Sequence, residues 1–325
     1  MKRRILLIAA LTSSPVSVTL ADESAVAYPS RKVRLLLAAA AGGNPDVLAR
    51  LLGDKLSQML GQPFFVDNMP GAAGVVATAV LVQAAPDGYT LGAMDSGPLA
   101  IAPALNSKIA YQTLKDLTFI TALAAVPTIL VVNSSVPANT LQEFIKLAKS
   151  RPGELNFGSA GNGSIHHLTM EMFMQDAGIK LMHIPYKGGA AIIPGLLSGE
   201  IQAGFAGIPL VRELVKSGRL RALGISIPSR SGSMPDVLTL AEQGIAKFDV
   251  ASVIGLQGPA GLPRAIVAKL QGVIAKALRT NDLAEKIESL GMVVVENGTA
   301  PYEQRVKNEV ERYAATVKAL GLTVQ

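Results

Sequence analysis

Val33-Arg34-Leu35-Leu36-Leu37-Ala38-Ala39-Ala40-Ala41-Gly42-Gly43-Asn44-Pro45-Asp46 is the stretch whose reading decides the fold. Val33 to Ala38 is almost wholly apolar and reads as a strand. The glycine pair breaks it. Asn44 is then placed as a helix cap, with Pro45 at the first helical position, where the missing N–H costs nothing. Val47, Leu48, Leu51, Leu52, Leu56, Met59 and Leu60 recur at helical spacing, Gly61 supplies a stop, and Phe64 to Asp67 starts another strand. Strand, helix and strand within 35 residues predict an α/β unit with parallel strands.

Working outward, the same alternation continues through a helix near Gly74 to Ala84 and a strand from Thr90 to Met94. Phe119 to Asn133 is a long extended run with Val126-Pro127 inside it. Thr140-Leu141-Gln142-Glu143 is a capping box, and its helix ends before Arg151-Pro152-Gly153. A second set follows, with strands predicted over 155–158, 181–184, 201–205 and 221–225 and a helix from about Ile165 to Gln175. Asp249 to Gln257 is a second extended run, and three helical patterns close the chain near Leu320. Two extended runs bracketing the middle units imply that the chain leaves one lobe and later returns to it. The expectation is an α/β protein with lobe 1 over residues 28–126 plus 254–325 and lobe 2 over 127–253. Two crossover strands join them, with a ligand cleft between.

Residues 1–27 read as a signal peptide: Lys2, Arg3 and Arg4, a short apolar run from Ile5 to Leu11, then small residues ending at Ala27. Thr12 and Pro15 break the apolar run far short of the roughly 20 residues a membrane span needs. Cleavage after Ala27 suits the small residues there, Ala21 is a second site, and Arg3-Arg4 leaves the twin-arginine route open. With no cysteine there is neither a disulfide framework nor a lipid attachment point, so a soluble periplasmic protein is expected. The formal charge of +6 is spread rather than clustered, which argues against a nucleic-acid partner. A composition 49% hydrophobic and 17% charged excludes disorder.

Several segments, in order and spacing, resemble the Bug family, the extracytoplasmic receptors of tripartite tricarboxylate transporters. They are Tyr28-Pro29-Ser30-Arg31, Ala41-Gly42-Gly43 with Asp46, Gly61-Gln62-Pro63, Asn68-Met69-Pro70-Gly71-Ala72-Ala73-Gly74 and Ala85-Pro86-Asp87-Gly88-Tyr89-Thr90. Further along come Asn156 to Ser164 with His167-Leu168, His183 to Gly188, and Gly218 to Leu223. The resemblance implies a type II periplasmic-binding-protein fold, a small carboxylate ligand, and delivery to membrane transporter subunits or, alternatively, to a membrane sensor. Two departures bear on the ligand. Ala38 and Ala39 stand where the family usually has Pro and Phe, which widens one wall, and Ala206-Gly207 stand where an Asp is common. The missing Asp argues against an amino acid and leaves dicarboxylates, tricarboxylates and aromatic acids. The protein is expected to act as a monomer, without a cofactor or metal.

Candidate ligand residues follow from anion chemistry. Ala41, Gly42, Gly43 and Asp46 lie at a helix start, whose free N–H groups favour an anion, although the same residues suit an ordinary strand-to-helix turn. Ser159, Gly161, Asn162, Gly163 and Ser164 form a second such loop with two hydroxyls, Ser164 serving equally well as a plain helix cap. Tyr186 and Ala206 follow strands, and Ser96 adds a hydroxyl after a third. His167, one turn after Ser164, faces either the ligand or Glu171, while His166 is expected to point outward. Ser164 with His167 is the one pairing that suggests a serine hydrolase, and it lacks a third partner; no Gly-x-Ser-x-Gly, P-loop or His-Glu-x-x-His motif occurs.

Overall fold

The computed structural model describes residues 28–245, 248–295 and 298–322. The expected signal peptide lies outside them. The strands are β1 (Val33–Leu37), β2 (Phe64–Asn68), β3 (Thr90–Met94), β4 (Leu117–Asn133), β5 (Asn156–Ser159), β6 (Met182–Pro185), β7 (Ala203–Gly207), β8 (Leu220–Ile225), β9 (Ala251–Pro259) and β10 (Val293–Val294). The helices that matter here are α1 (Asn44–Leu60), α2 (Val75–Val82), α3 (Ala102–Leu105), α4 (Leu141–Ser150), α5 (Ile165–Ala177), α6 (Ile192–Ser198), α7 (Ile208–Lys216), α8 (Arg264–Leu278), α9 (Asn281–Ser289) and α10 (Thr299–Leu320). None among the described residues is long and apolar enough to cross a membrane.

β4 organises the molecule. Seventeen residues at about 3.3 Å each carry it through roughly 55 Å, enough to serve two sheets in turn. Its first part, Leu117 to Pro127, pairs antiparallel with β9, extending a sheet in the order β2-β1-β3-β9-β4, and β10 adds at Ala124 and Ala125. From Thr128 onward it pairs with β7 and β8, and β7 leads on to β5 and β6. Pro127 sits where the partners change. A residue without an N–H is tolerated in a strand where no ladder bond is required of it, and the changeover is such a place. The chain returns beside it: Thr128 N–H donates to Ser226 Oγ at 3.0 Å, Ser226 N–H to Thr128 O at 2.9 Å, and Val250 N–H to Ser226 O at 2.8 Å.

Within each half the β-α-β units are parallel, as the alternation predicts: β1 pairs with β2 and β3, and β5 with β6 and β7. The cap at Thr140 forms, its Oγ1 accepting Glu143 N–H at 3.1 Å, but the return bond of the expected capping box goes one residue earlier, Glu143 Oε2 accepting Asn139 N–H at 2.6 Å. Around β5 and β7 the chain concentrates its scarce aromatics, with Phe144, Phe157, Phe173, Phe205 and Phe248 all fully buried. Phe173, Phe205 and Phe248 pack with centroids 6.1 to 6.4 Å apart, each removing about 2–3 kcal/mol of apolar surface cost.

α10 does not keep to the lobe expected for it. Its first turns bury Tyr302 and Val306 in the core shared with β4 and β9, whereas Tyr313 and Val317 enter the phenylalanine core beside α5. This helix therefore straps the two halves. Arg305 on it binds both Asp249, at 2.9 Å, and Glu309, at 3.1 Å, next to the second crossover. Burial nevertheless pushes the Glu309 carboxyl up to about 7.

Candidate ligand-binding site

A crevice of about 450 Å³ lies where the two halves meet at the carboxyl edges of their parallel strands. Ala72, Ala73, Val75, Asp95 and Gly97 line it from one side, Asn162, Gly163, Ser164 and Ile165 from the other, and Ser252 of β9 from its base. Carboxyl-edge crevices are where open α/β sheets take ligands. Ile101, Ala102, Leu105 and Ile109 make the wall largely apolar.

On the side beside β5, Asn162, Gly163 and Ser164 reach the crevice. Ser164 is the N-cap of α5, its Oγ accepting His167 N–H at 3.3 Å, and Ile165, the first residue of that helix, also lines the crevice. Gly163 has φ +72°, and a Cβ there would meet the Leu105 side chain at 2.7 Å. Only glycine permits both that backbone and so close an approach of the halves.

The opposite side differs from expectation. Ala41, Gly42 and Gly43 are exposed and do not line the crevice. α1 begins at Asn44 with Gly43 as its cap, so Asn44 is not the capping residue. The anion at this helix start is the protein's own. Asp46, 3% exposed, accepts Gly42 N–H at 2.9 Å, Arg50 Nε at 3.0 Å and Asn68 Nδ2 at 2.9 Å. The Arg50 guanidinium, with help from Gly42 and Asn68, holds its carboxyl down at about 2. The crevice is met instead by Ala72 and Ala73, whose φ values of 45° and 51° are left-handed and cost roughly 1–2 kcal/mol each. Strain of this kind gathers at ligand-binding loops.

Five other candidates turn inward. Ser96 is buried, accepting Val253 N–H at 3.1 Å, and so pins β9 to the end of β3 rather than facing ligand. Ser159 is fully buried, its Oγ accepting Gly161 N–H at 3.0 Å and lying 2.6 Å from His183 Nε2. The Tyr186 ring packs toward Gly158 and Gly195, and burial with Glu200 nearby pushes its hydroxyl up to about 12. Ala206 is buried in β7, and Gly161 lies beneath the loop against Tyr186 O.

The histidines form part of the scaffold. His167 accepts Gly163 N–H at Nδ1, 3.1 Å, and faces Glu171 at 3.5 Å through Nε2, so its ring does not engage Ser164. It stacks on His183 with centroids 3.9 Å apart, and His183 stacks on Phe157 at 4.8 Å. Burial first, then His167, drives the His183 pKa down to about 4. A serine within reach of a histidine is half of a hydrolytic site, but Ser159 is sealed from solvent and the pair acts as an internal tie. His166 is part-buried against Gly189 rather than outward, and burial lowers its pKa.

Reading forward from sequence missed Asp95. It follows the last residue of β3, the position from which parallel strands present ligand groups, and it is the one acidic side chain among the described residues of the crevice wall. That position was the available signal.

Two α/β halves crossed by β4 and β9, with a crevice at their carboxyl edges, define the architecture of periplasmic solute-binding proteins. The chain belongs to the tripartite tricarboxylate transporter receptor family (TctC), whose model matches residues 48–322. It is 36% identical to the "UPF0065 protein in gbd 5′region" of Cupriavidus necator over 93% of this chain and 91% of that one. To the protein BugT of Bordetella pertussis it is 34% identical over 93% of each. Among solved structures it resembles an R. palustris protein with adipate (29% identity, TM-score 0.73, covering 91% of this chain and 99% of that one). It also resembles MatC from Rhodopseudomonas palustris with bound malate (30%, TM-score 0.69, 89% and 100%). The protein is thus a periplasmic solute-binding receptor of the TctC type, and its relatives are binding proteins rather than enzymes.

Proposed function

We propose that the protein captures a small organic carboxylate in the 450 Å³ crevice and delivers it to the membrane subunits of a tripartite tricarboxylate transporter. Residues 28–126 with 254–325 form one lobe and 127–253 the other, α10 reaching from the first to pack on the second, and the lobes close on the ligand about the crossovers at β4 and β9. The carboxylate accepts from the N–H groups at the start of α5 and from Ser164 and Asn162, while the Gly71–Gly74 turn covers it from the other side. The observation that carries this reading is the convergence of a helix N-terminus and a strained turn, from two halves of the fold, on one crevice. The relatives with adipate and malate support a carboxylate. Residues 1–27 direct the chain to the periplasm, where it acts as a soluble monomer.

A thermal-shift screen of organic acids on the purified protein tests this. A ligand at a hundred times its Kd adds about 2.7 kcal/mol to the folded state, an easily measured rise in Tm. Asn162→Ala together with Ser164→Gly should remove most of that rise. A screen in which no organic acid raises the Tm at millimolar concentration would overturn the proposal.

A further inference from the structure

The crevice holds one feature that a receptor for a simple dicarboxylate does not need. Among the described residues lining it, Asp95 is the one acidic or basic side chain, and both of its carboxyl oxygens act as acceptors. Its carboxylate is held in place, Oδ1 accepting Gly97 N–H at 3.0 Å and Oδ2 accepting the Ser252 hydroxyl at 3.0 Å. Its own backbone N–H also donates to the carboxyl, and among the described residues lining the crevice there is no lysine, arginine or histidine beside it. Burial already raises its pKa despite both donors. Closing the lobes would strip more water from an anion without a cation, which is costly unless the ligand supplies the missing positive charge.

We propose that Asp95 is the specificity-determining residue of this crevice, and that the ligand is an amino carboxylate whose ammonium donates to Asp95. This rests on the receptor reading of the same crevice. The carboxylate of such a ligand lies at the start of α5, its ammonium at the end of β3, and its carbon chain along Ile101 and Leu105. A dicarboxylate would instead set its second anion against Asp95, where like charges repel. The Asp absent after β7 is therefore replaced by one after β3, and the sequence-based argument against an amino acid no longer holds.

Isothermal titration of the purified protein with matched acids tests the idea: leucine against 4-methylpentanoate, and 5-aminopentanoate against pentanoate and glutarate. At least one amino acid should bind more tightly than its matched acids, and Asp95→Asn should weaken it by roughly 10- to 100-fold. Asp95→Ser, which keeps an acceptor for Gly97 N–H, guards against a folding artefact and should show the same loss with an unchanged circular dichroism spectrum. Tighter binding of glutarate or the monocarboxylates, unchanged or improved in Asp95→Asn, would overturn the assignment while leaving the receptor reading intact. Binding of no acid of either kind would sink both together.

Discussion

Asp46→Asn should lower stability by about 1–2 kcal/mol and leave ligand binding untouched. Folding moves this carboxyl from the usual 3.8 to about 2, chiefly through Arg50. Each tenfold change in proton affinity is worth about 1.4 kcal/mol, so the gain before screening is about 2.5 kcal/mol. Arg50 is 50% exposed, and solvent screening of that partner brings the expectation down to the stated range. Because the folded pKa lies below the unfolded one, the stabilisation is complete above about pH 4 and disappears as the pH falls toward 2. Thermal unfolding followed by circular dichroism should therefore place the variant a few degrees below the wild type at pH 7. The gap should narrow at pH 3. The Tm rise produced by a ligand should be the same in both proteins. A variant that melts like the wild type but loses the ligand response would refute the reasoning, since Asp46 would then be serving the ligand and not the helix.

Three further perturbations read other parts of the fold. His183 has a folded pKa of about 4, below the ordinary 6.5, so the unfolded chain takes up the proton first; stability should fall as the pH drops between those values, by less than about 1.4 kcal/mol per unit because the half-buried ring is partly screened by solvent. Melting curves from pH 7 to pH 5 should show that slope flattened in His183→Gln, and an unaltered slope would assign the protonation elsewhere. Tyr302→Phe should cost about 1 kcal/mol by removing its 2.9 Å bond with Gln257. Gly255→Ala should cost about 1–3 kcal/mol, because its methyl would stand 2.2 Å from Tyr302 Cζ. Urea midpoints compare the two, and equal midpoints for Gly255→Ala and the wild type would contradict the packing described.

The fold was legible because its signals are periodic and local. The strand from Thr90 to Met94 and the crossover β4 are found where alternation placed them, and Pro127 marks the changeover between sheets. What escaped reading is the destination of α10. Its apolar spacing announces a helix with one buried stripe, but a stripe does not say which core receives it, and here Val306 and Tyr313 enter different ones.

The site was half legible, and the reason is chemical. A glycine-flanked helix start attracts an anion, yet the rule does not say whose anion it is. At α5 the first turn contains no acidic residue, and its only side-chain cap is the neutral Ser164 hydroxyl. At α1 the chain supplies Asp46 in the first turn and Arg50 one turn later, a pairing visible in the sequence, and the dipole is satisfied internally. A glycine turn followed within four residues by Asp or Glu, with Arg a turn beyond, should therefore be read as a self-capped helix. By that test the Gly71–Gly74 turn, which enters α2 with no acidic residue in its first turn, is the better candidate for lobe 1, and it is the turn that reaches the crevice.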